Sequence, residues 1–301
     1  MSHFKQKILF VTGKGGVGKS TLAASAALSL TRRGLKVLLV ELNDYGHFSH
    51  LLSKPIGYLP TKWRDNLAVA CWDGEACLRE YLKHYVRIEA IVDLFFNNTV
   101  MKTFMRAAPA LKEISILGKA TSGIRGVGPT FDYDYVVIDS YATGHFQALL
   151  RASRGLAEAI PFGPMGEQSR QIEAILKDPQ FCQYLVVTLP EPLPVSECQE
   201  LSSHLYQEWK IKAQIICNKI WDIPGSQEEL VAMRQSLQQI DSSGAGFVHY
   251  LEVIQKRQEL AVSKMKEFSA SFEALPFLFR KNGVELIEDL SERLSNSDFS
   301  F

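Results

Sequence analysis

The most constraining feature of this 301-residue chain is a glycine-rich run near its start. The run consists of Gly13, Lys14, Gly15, Gly16, Val17, Gly18, Lys19, Ser20 and Thr21. An apolar stretch at residues 7–12 precedes it, and an alanine-rich stretch at residues 22–30 follows it. A strand, a glycine loop and a helix in this order bring backbone N–H groups and a helix N-terminus together around an anion. The run therefore predicts a phosphate-binding loop and nucleotide binding by all nine of its residues.

Three side chains of this loop have distinct expected roles. Lys19 is placed to bring its ammonium group to the β- and γ-phosphates, and the Ser20 hydroxyl is placed to bind Mg²⁺. Lys14 occupies a variable position at which such a loop needs no charge. It is either a solvated surface lysine or a catalytic cation that crosses a dimer interface and neutralises the charge developing on a neighbouring subunit's phosphates.

Short apolar runs rich in β-branched residues alternate with helical patterns along most of the chain. This alternation predicts an α/β fold of the P-loop NTPase type, with a mostly parallel, doubly wound sheet and helices on both faces. The predicted strands are Lys7–Thr12, Leu35–Glu41, Leu67–Trp72, Tyr135–Asp139, Tyr184–Leu189, Ala213–Asn218 and Gly246–Leu251. Before the last of these, a helical stripe of Leu230, Met233, Leu237 and Ile240 is expected to pack on the sheet as core.

Two stretches, residues 75–128 and 147–180, interrupt the alternation and are predicted to be mainly helical. Because the strands that they separate belong to one sheet, we expect the two stretches to meet as a helical subdomain over the nucleotide end. Residues 1–74, 129–146 and 181–301 then form the nucleotide-binding core into which this subdomain is inserted. A cluster of Phe95, Phe96, Met101, Phe104 and Met105 in the first stretch is either interior packing or an adaptable surface for a client protein.

Further candidate site residues follow two of the predicted strands. Asp139 ends one strand, at the sheet edge where a carboxylate would hold Mg²⁺. Residues 141–145, which include a glycine and other small residues, are predicted to be a loop whose backbone approaches a γ-phosphate. Asn218 ends a later strand, and its amide either pairs with the edge of adenine or caps the strand in a turn.

Composition excludes several other classes of function. Lys and Arg together number 33, as do Asp and Glu, so no net positive charge is available for nonspecific binding to nucleic acid. The five cysteines include no C-x-x-C pair, which argues against a zinc site and for a reducing compartment. Neither a signal peptide nor an apolar run of membrane-spanning length is evident, so the sequence predicts a cytoplasmic protein without an integral membrane segment.

Several segments taken together resemble the anion-transporting ATPases. They are Lys14–Thr21, Val137–His145, Pro190–Glu197 and Ile215–Asn218, and further similar segments extend the resemblance over nearly the whole chain. The resemblance implies a deviant Walker A loop with Lys14 as its signature lysine, ATP and Mg²⁺ as cofactors, and Asn218 on adenine. It also implies residues 143–145 as a switch and a dimer that encloses the nucleotides.

The chain also departs from this family in ways that concern mechanism. Family members generally carry an Asp that orients the attacking water where an ungapped match places Asn43 here, followed by Asp44. A neutral amide cannot accept a proton as a carboxylate does, so hydrolysis is expected to be slow unless Asp44 substitutes. The paired cysteines for zinc and the cysteine triplet for arsenite are both missing, so the nearest members are bacterial relatives with no assigned client.

Three functions are compatible with these residues. The leading one is a dimeric, slowly hydrolysing ATPase switch whose helical subdomain holds or releases a protein client or a membrane-associated partner. The second is a catalytically silent ATP-binding subunit that forms a heterodimer with an active paralogue instead of a homodimer, and it is motivated by Asn43. The third is a small-molecule ligase or kinase with the same loop, against which the apolar character of the helical stretches argues.

Overall fold

The computed structural model describes residues 6–42, 46–86, 89–98, 110–269 and 272–297. The strands in these ranges are β1 (Lys7–Gly13), β2 (Val37–Glu41), β3 (Thr61–Arg64), β4 (Leu67–Cys71), β5 (Tyr135–Ala142), β6 (Cys182–Thr188), β7 (Gln214–Ile220) and β8 (Glu273–Pro276). They form one sheet in the order β3-β4-β2-β5-β1-β6-β7-β8. Only β3 and β4 pair in antiparallel fashion among these strands, so the predicted α/β class with a mostly parallel sheet is confirmed. The edge strands β3 and β8 were not predicted.

Helices connect most of these strands, and some of them begin at a residue whose side chain caps the helix. The helices are α1 (Lys19–Arg32), α2 (His47–Leu51), α3 (Gly74–Tyr85), α4 (Glu89–Asn97), α5 (Ala110–Ala120), α6 (Ser122–Arg125), α7 (Thr143–Ala159), α8 (Pro164–Lys177), α9 (Pro192–Trp209), α10 (Gln227–Leu237), α11 (Ser242–Phe268) and α12 (Gly283–Asn296). Asp73 caps α3 through its side chain, and Ser226 forms a capping box with Glu229 at α10. Such caps satisfy backbone N–H groups that have no partner within the helix.

The sheet is covered on both faces because successive side chains of each strand point in opposite directions. In β1, Ile8 and Phe10 join the core on one face, whereas Leu9 and Val11 join the core on the other. Helices α5, α7, α8, α9 and α11 contribute to the first core, and α1 and α12 contribute to the second. The sheet thereby forms a base whose carboxyl edge carries the segments that follow the parallel strands.

The two inserted stretches are helical where the structure describes them, and they contact one another. Helix α3 packs on α5, and α5 in turn packs on α7 and α8. Leu117 of α5 and Ile172 of α8 share one core cluster with residues of the sheet. The expected boundary at residue 146 falls inside α7, and the division into a core and a subdomain stays a prediction.

The predicted cluster of Phe and Met residues is only partly described. Phe96 is buried against Leu78 and Leu82, and the Arg79 guanidinium lies 4.3 Å from the centre of its ring. Met101, Phe104 and Met105 lie outside the described residues, as does the side chain of Phe95. For Phe96 the structure therefore favours interior packing over an exposed client surface.

Two predictions for the region between β7 and β8 are wrong. Gly246–Leu251 is not a strand but part of α11, in which Val248 and Glu252 recur on the buried side at helical spacing. Of the predicted core stripe, Leu230 is buried, whereas Met233 and Ile240 are exposed. The reason is that α10 packs on α11 rather than on the sheet, and this contact needs a narrower apolar face.

Candidate nucleotide-binding site

The glycine loop lies between β1 and α1, as the sequence predicts, and two of its glycines are required by close contacts. A Cβ atom on Gly13 would lie 2.2 Å from the Val187 carbonyl oxygen, and Gly13 has a φ of 141°. A Cβ atom on Gly18 would lie 2.5 Å from Nδ2 of Asn218, and Gly18 has a φ of 97°. Gly15 has open space where a Cβ would project. The loop is therefore tightly held at both ends and open at its crest.

Three lysine side chains converge on this loop. Nζ of Lys19 donates to the Lys14 carbonyl oxygen at 2.9 Å, and Nζ of Lys219 lies 3.4 Å from the Gly16 carbonyl oxygen. Nζ of Lys14 lies 2.6 Å from Oε1 of Glu197 in α9, and both side chains of this ion pair are about 30% exposed. Burial lowers the pKa of Lys19, while the nearby carboxylate of Asp139 opposes that shift. This concentration of positive charge suits a polyphosphate.

Asp139 lies in β5 beside the start of α1 and is 2% exposed. Burial raises the pKa of this carboxyl group from 3.8 to about 7, although a hydrogen bond from Ser20 and the charge of Lys19 lower it. Its Oδ1 atom is buried and has no hydrogen-bond partner among the described residues. A buried carboxylate oxygen without a partner, next to a hydroxyl, provides the oxygen donors that Mg²⁺ prefers. Asp139 and Ser20 therefore fit this cation.

A second buried carboxylate, Glu41, was missed by the sequence reasoning. It ends β2 in register with Asp139 on β5, is 1% exposed, and contributes to the raised pKa of Asp139. Its two carboxylate oxygens accept hydrogen bonds from the backbone N–H groups of His47 at 2.9 Å and Phe48 at 3.3 Å. Glu41 thus ties the start of α2 to the end of β2. The sequence signal that could have indicated this residue is a single carboxylate at the end of an otherwise apolar strand.

Asn218 lies within β7, which continues to Ile220, and is almost fully buried against the glycine loop. Its Nδ2 atom donates to the Val17 carbonyl oxygen at 2.9 Å, so the amide fixes the loop. Beyond it, a cleft of about 680 Å³ is lined by residues from the start of α9, from α11 and from the segments after β7 and β8. In this cleft the rings of Trp221 and Phe277 are stacked, with centroids 5.3 Å apart. The adenine contact of Asn218 stays a prediction.

The prediction of a loop at residues 141–145 is wrong. Strand β5 continues to Ala142, and α7 begins at Thr143 without an intervening loop. The rings of Tyr141 and His145 stack with centroids 3.8 Å apart, which holds the strand end against the first helical turn. Backbone N–H groups near a phosphate would therefore belong to a helix start rather than to a mobile loop.

The two remaining predicted catalytic residues, Asn43 and Asp44, lie outside the described residues. In the ranges that the structure describes, no cluster of three or more His, Cys, Asp or Glu side chains has the arrangement of a metal site. No helix in those ranges is sufficiently long and apolar to cross a bilayer. The described site thus consists of the glycine loop, Asp139, Glu41 and Asn218, together with Glu197, which forms an ion pair with Lys14 of the loop.

Comparison with known proteins places this site in a defined context. Residues 6–161 match the family model described as anion-transporting ATPase. The chain is 30% identical to the ATPase BagA of Mycobacterium tuberculosis over 264 residues, which are 80% of this chain and 73% of that protein. It is 29% identical to an arsenical pump-driving ATPase of Escherichia coli over 239 residues. That match covers 78% of this chain but 39% of the E. coli protein, and a Halobacterium salinarum relative (27% identical) is covered over 35% of its length.

Proposed function

Because the chain belongs to the anion-transporting ATPase family, we propose that it is an ATP-dependent switch in which Mg²⁺-ATP closes two subunits upon each other. Membership in this family implies ATP binding. The observation that carries the proposal is the juxtaposition of the glycine loop, with Lys19 at its end, and the buried, unsatisfied oxygen of Asp139. A triphosphate and its cation would satisfy both.

The residues of the chain would divide the work of binding in the following way. The loop amides and Lys19 would hold the β- and γ-phosphates, and the Lys19 ammonium would exchange the Lys14 carbonyl oxygen for phosphate oxygens. Ser20 and Asp139 would hold Mg²⁺, which when bound neutralises charge on the phosphate oxygens. Asn218, which keeps the loop in place through Val17, would present its remaining amide groups to adenine.

Lys14 would act across the interface between two subunits. Lys14 lies in the first half of the loop, and its side chain is partly exposed. Its ammonium group would therefore be free to reach a second subunit. A second ammonium group on the γ-phosphate would stabilise the transition state electrostatically, as an arginine finger does. Nucleotide state would then alter the helices next to Asp139, of which α7 follows β5 directly, and thereby the binding of a protein or membrane-associated partner.

The test compares Lys14→Ala with wild-type protein and with Lys212→Ala, an exposed lysine outside the loop, as the matched control. We expect Lys14→Ala to keep its affinity for ATP within roughly threefold, because Lys19 and the loop amides remain. It should lose Mg²⁺-ATP-driven self-association in analytical ultracentrifugation, whereas Lys212→Ala should retain it. Normal self-association of Lys14→Ala would refute the role across the interface.

The second candidate is an ATP-binding subunit that does not hydrolyse and that pairs with an active paralogue. The residue that favours it is Asn43, at the position where the family generally has a water-orienting Asp. Turnover measurements on the purified chain distinguish the two candidates. Turnover that is lost in Asp44→Ala supports the switch that hydrolyses ATP, and tight ATP binding without turnover supports the silent subunit.

A further inference from the structure

We propose that Glu197 is the positioning residue that holds Lys14 on its own subunit until Mg²⁺-ATP draws the lysine away. This inference rests on the proposed function, since it assigns a resting partner to the lysine that acts across the interface. The contact is direct, with Nζ of Lys14 2.6 Å from Oε1 of Glu197. The two residues are 183 positions apart in the sequence, so the fold and not the local chain brings them together.

The sheet explains why this contact forms. Strands β1 and β6 are neighbours, and Gly13 pairs with Val187 in their parallel register. The glycine loop leaves β1 at this edge of the sheet, and α9 begins at Pro192, shortly after β6 ends. Glu197 lies in the second turn of α9, which places its carboxylate beside the outer part of the loop. Sheet geometry therefore fixes both ends of the ion pair.

The electrostatics of the pair favour a releasable contact over a purely structural one. Both side chains are about 30% exposed, and ion pairs with this much solvent contribute little to stability. A triphosphate carries several negative charges and therefore competes strongly for the same ammonium group. Once Lys14 has left, the Glu197 carboxylate has lost this cation and lies close to the phosphate site. Its negative charge then repels the phosphate groups. When phosphate is released, the same carboxylate takes Lys14 back and favours opening.

The expected consequence is a lower ATP requirement for closure when Glu197 cannot hold Lys14. In Glu197→Gln the Mg²⁺-ATP concentration for half-maximal self-association should fall by roughly two- to fivefold, which corresponds to the usual strength of such pairs. Glu200→Gln changes the same charge one turn further along α9 and should leave the midpoint as in wild type. Glu197→Asp retains the charge but shortens the arm, and it should give an intermediate midpoint.

A double variant shows whether Glu197 acts through Lys14. If it does, Lys14→Ala combined with Glu197→Gln will behave as Lys14→Ala alone, because the substitutions are not additive. If Lys14→Ala abolishes self-association but Glu197→Gln keeps the wild-type midpoint, the inference is wrong while the proposed function stands. If Lys14→Ala has no effect on self-association, the proposed function itself fails. If Glu200→Gln shifts the midpoint as much as Glu197→Gln does, the shift comes from the change in net charge and not from the contact with Lys14. That result would also overturn the inference.

Discussion

Replacing the buried carboxyl group of Asp139 by an amide should stabilise the protein in the absence of nucleotide and metal. Burial is the main cause that raises the pKa of Asp139 from 3.8 to about 7. The folded state therefore binds a proton more tightly than the unfolded state does. Stability from this group is fully present below pH 3.8 and is lost as the pH rises through about 7. Asp139→Asn removes the ionisation and with it this loss.

The size of the effect follows from the same two pKa values. A pKa difference of one corresponds to about 1.4 kcal/mol, so the full difference corresponds to about 4 kcal/mol above pH 7. Relaxation around the charged group and water entry reduce this figure, and we expect a gain of about 2–4 kcal/mol at pH 8. The gain should shrink towards zero near pH 4. It corresponds to a rise in Tm of roughly 3–6 °C for a chain of this size.

Thermal and urea unfolding with EDTA present, at pH values from 5 to 8, measure this gain. Asp222→Asn, which neutralises an exposed carboxylate, is the control and should change stability by less than about 0.5 kcal/mol. With Mg²⁺ and ATP added the order should reverse, because wild-type protein gains stability from the bound ligand and Asp139→Asn loses most of that gain. The reasoning is refuted if Asp139→Asn is no more stable than wild type at pH 8 without metal.

Three further outcomes are expected from the same structure. Lys19→Ala should weaken ATP binding by roughly ten- to a hundredfold in titration calorimetry, since a charge-assisted contact to phosphate is lost while the fold is kept. Gly18→Ala should cost about 1–3 kcal/mol in urea unfolding, because its Cβ would lie 2.5 Å from Nδ2 of Asn218 at a φ of 97°. Leu230→Ala should cost about 2–3 kcal/mol by the same assay, whereas the exposed Met233→Ala should cost less than about 0.5 kcal/mol. If Leu230→Ala and Met233→Ala cost the same, the prediction that the whole apolar stripe is core would be correct after all.

The parts of the fold that the sequence predicts well are those that depend on local pattern. The strand, the glycine loop and α1 follow one another directly, and the left-handed backbone of Gly18 requires the residue type that the sequence has there. The failure at Gly246–Leu251 has a physical origin in the same kind of pattern. Phe247, Val248 and Tyr250 are common in strands, but Asp241 caps a helix that begins five residues earlier and continues through them. Tertiary context outweighed the local preference.

The parts of the site that sequence reasoning missed depend on contacts between distant segments. Glu41 matters because β2 and β5 are adjacent and in register, and Glu197 matters because β6 lies beside β1. Neither adjacency can be read from the spacing of residues along the chain. Strand order is decided by how all the helices and strands pack together, so carboxylates of this kind become visible only in three dimensions.

Nucleotide binding to this loop is an exchange of partners, and the structure indicates which step of the exchange gains most. Lys19 already donates to a carbonyl oxygen and Lys14 to Glu197, so phosphate would replace these contacts rather than add to them. Among the site residues that the structure describes, Asp139 is different, because it has a buried oxygen with no hydrogen-bond partner. A cation that satisfies this oxygen removes a cost present before binding. The affinity for ATP should therefore depend on Mg²⁺ more strongly than on any single lysine of the loop.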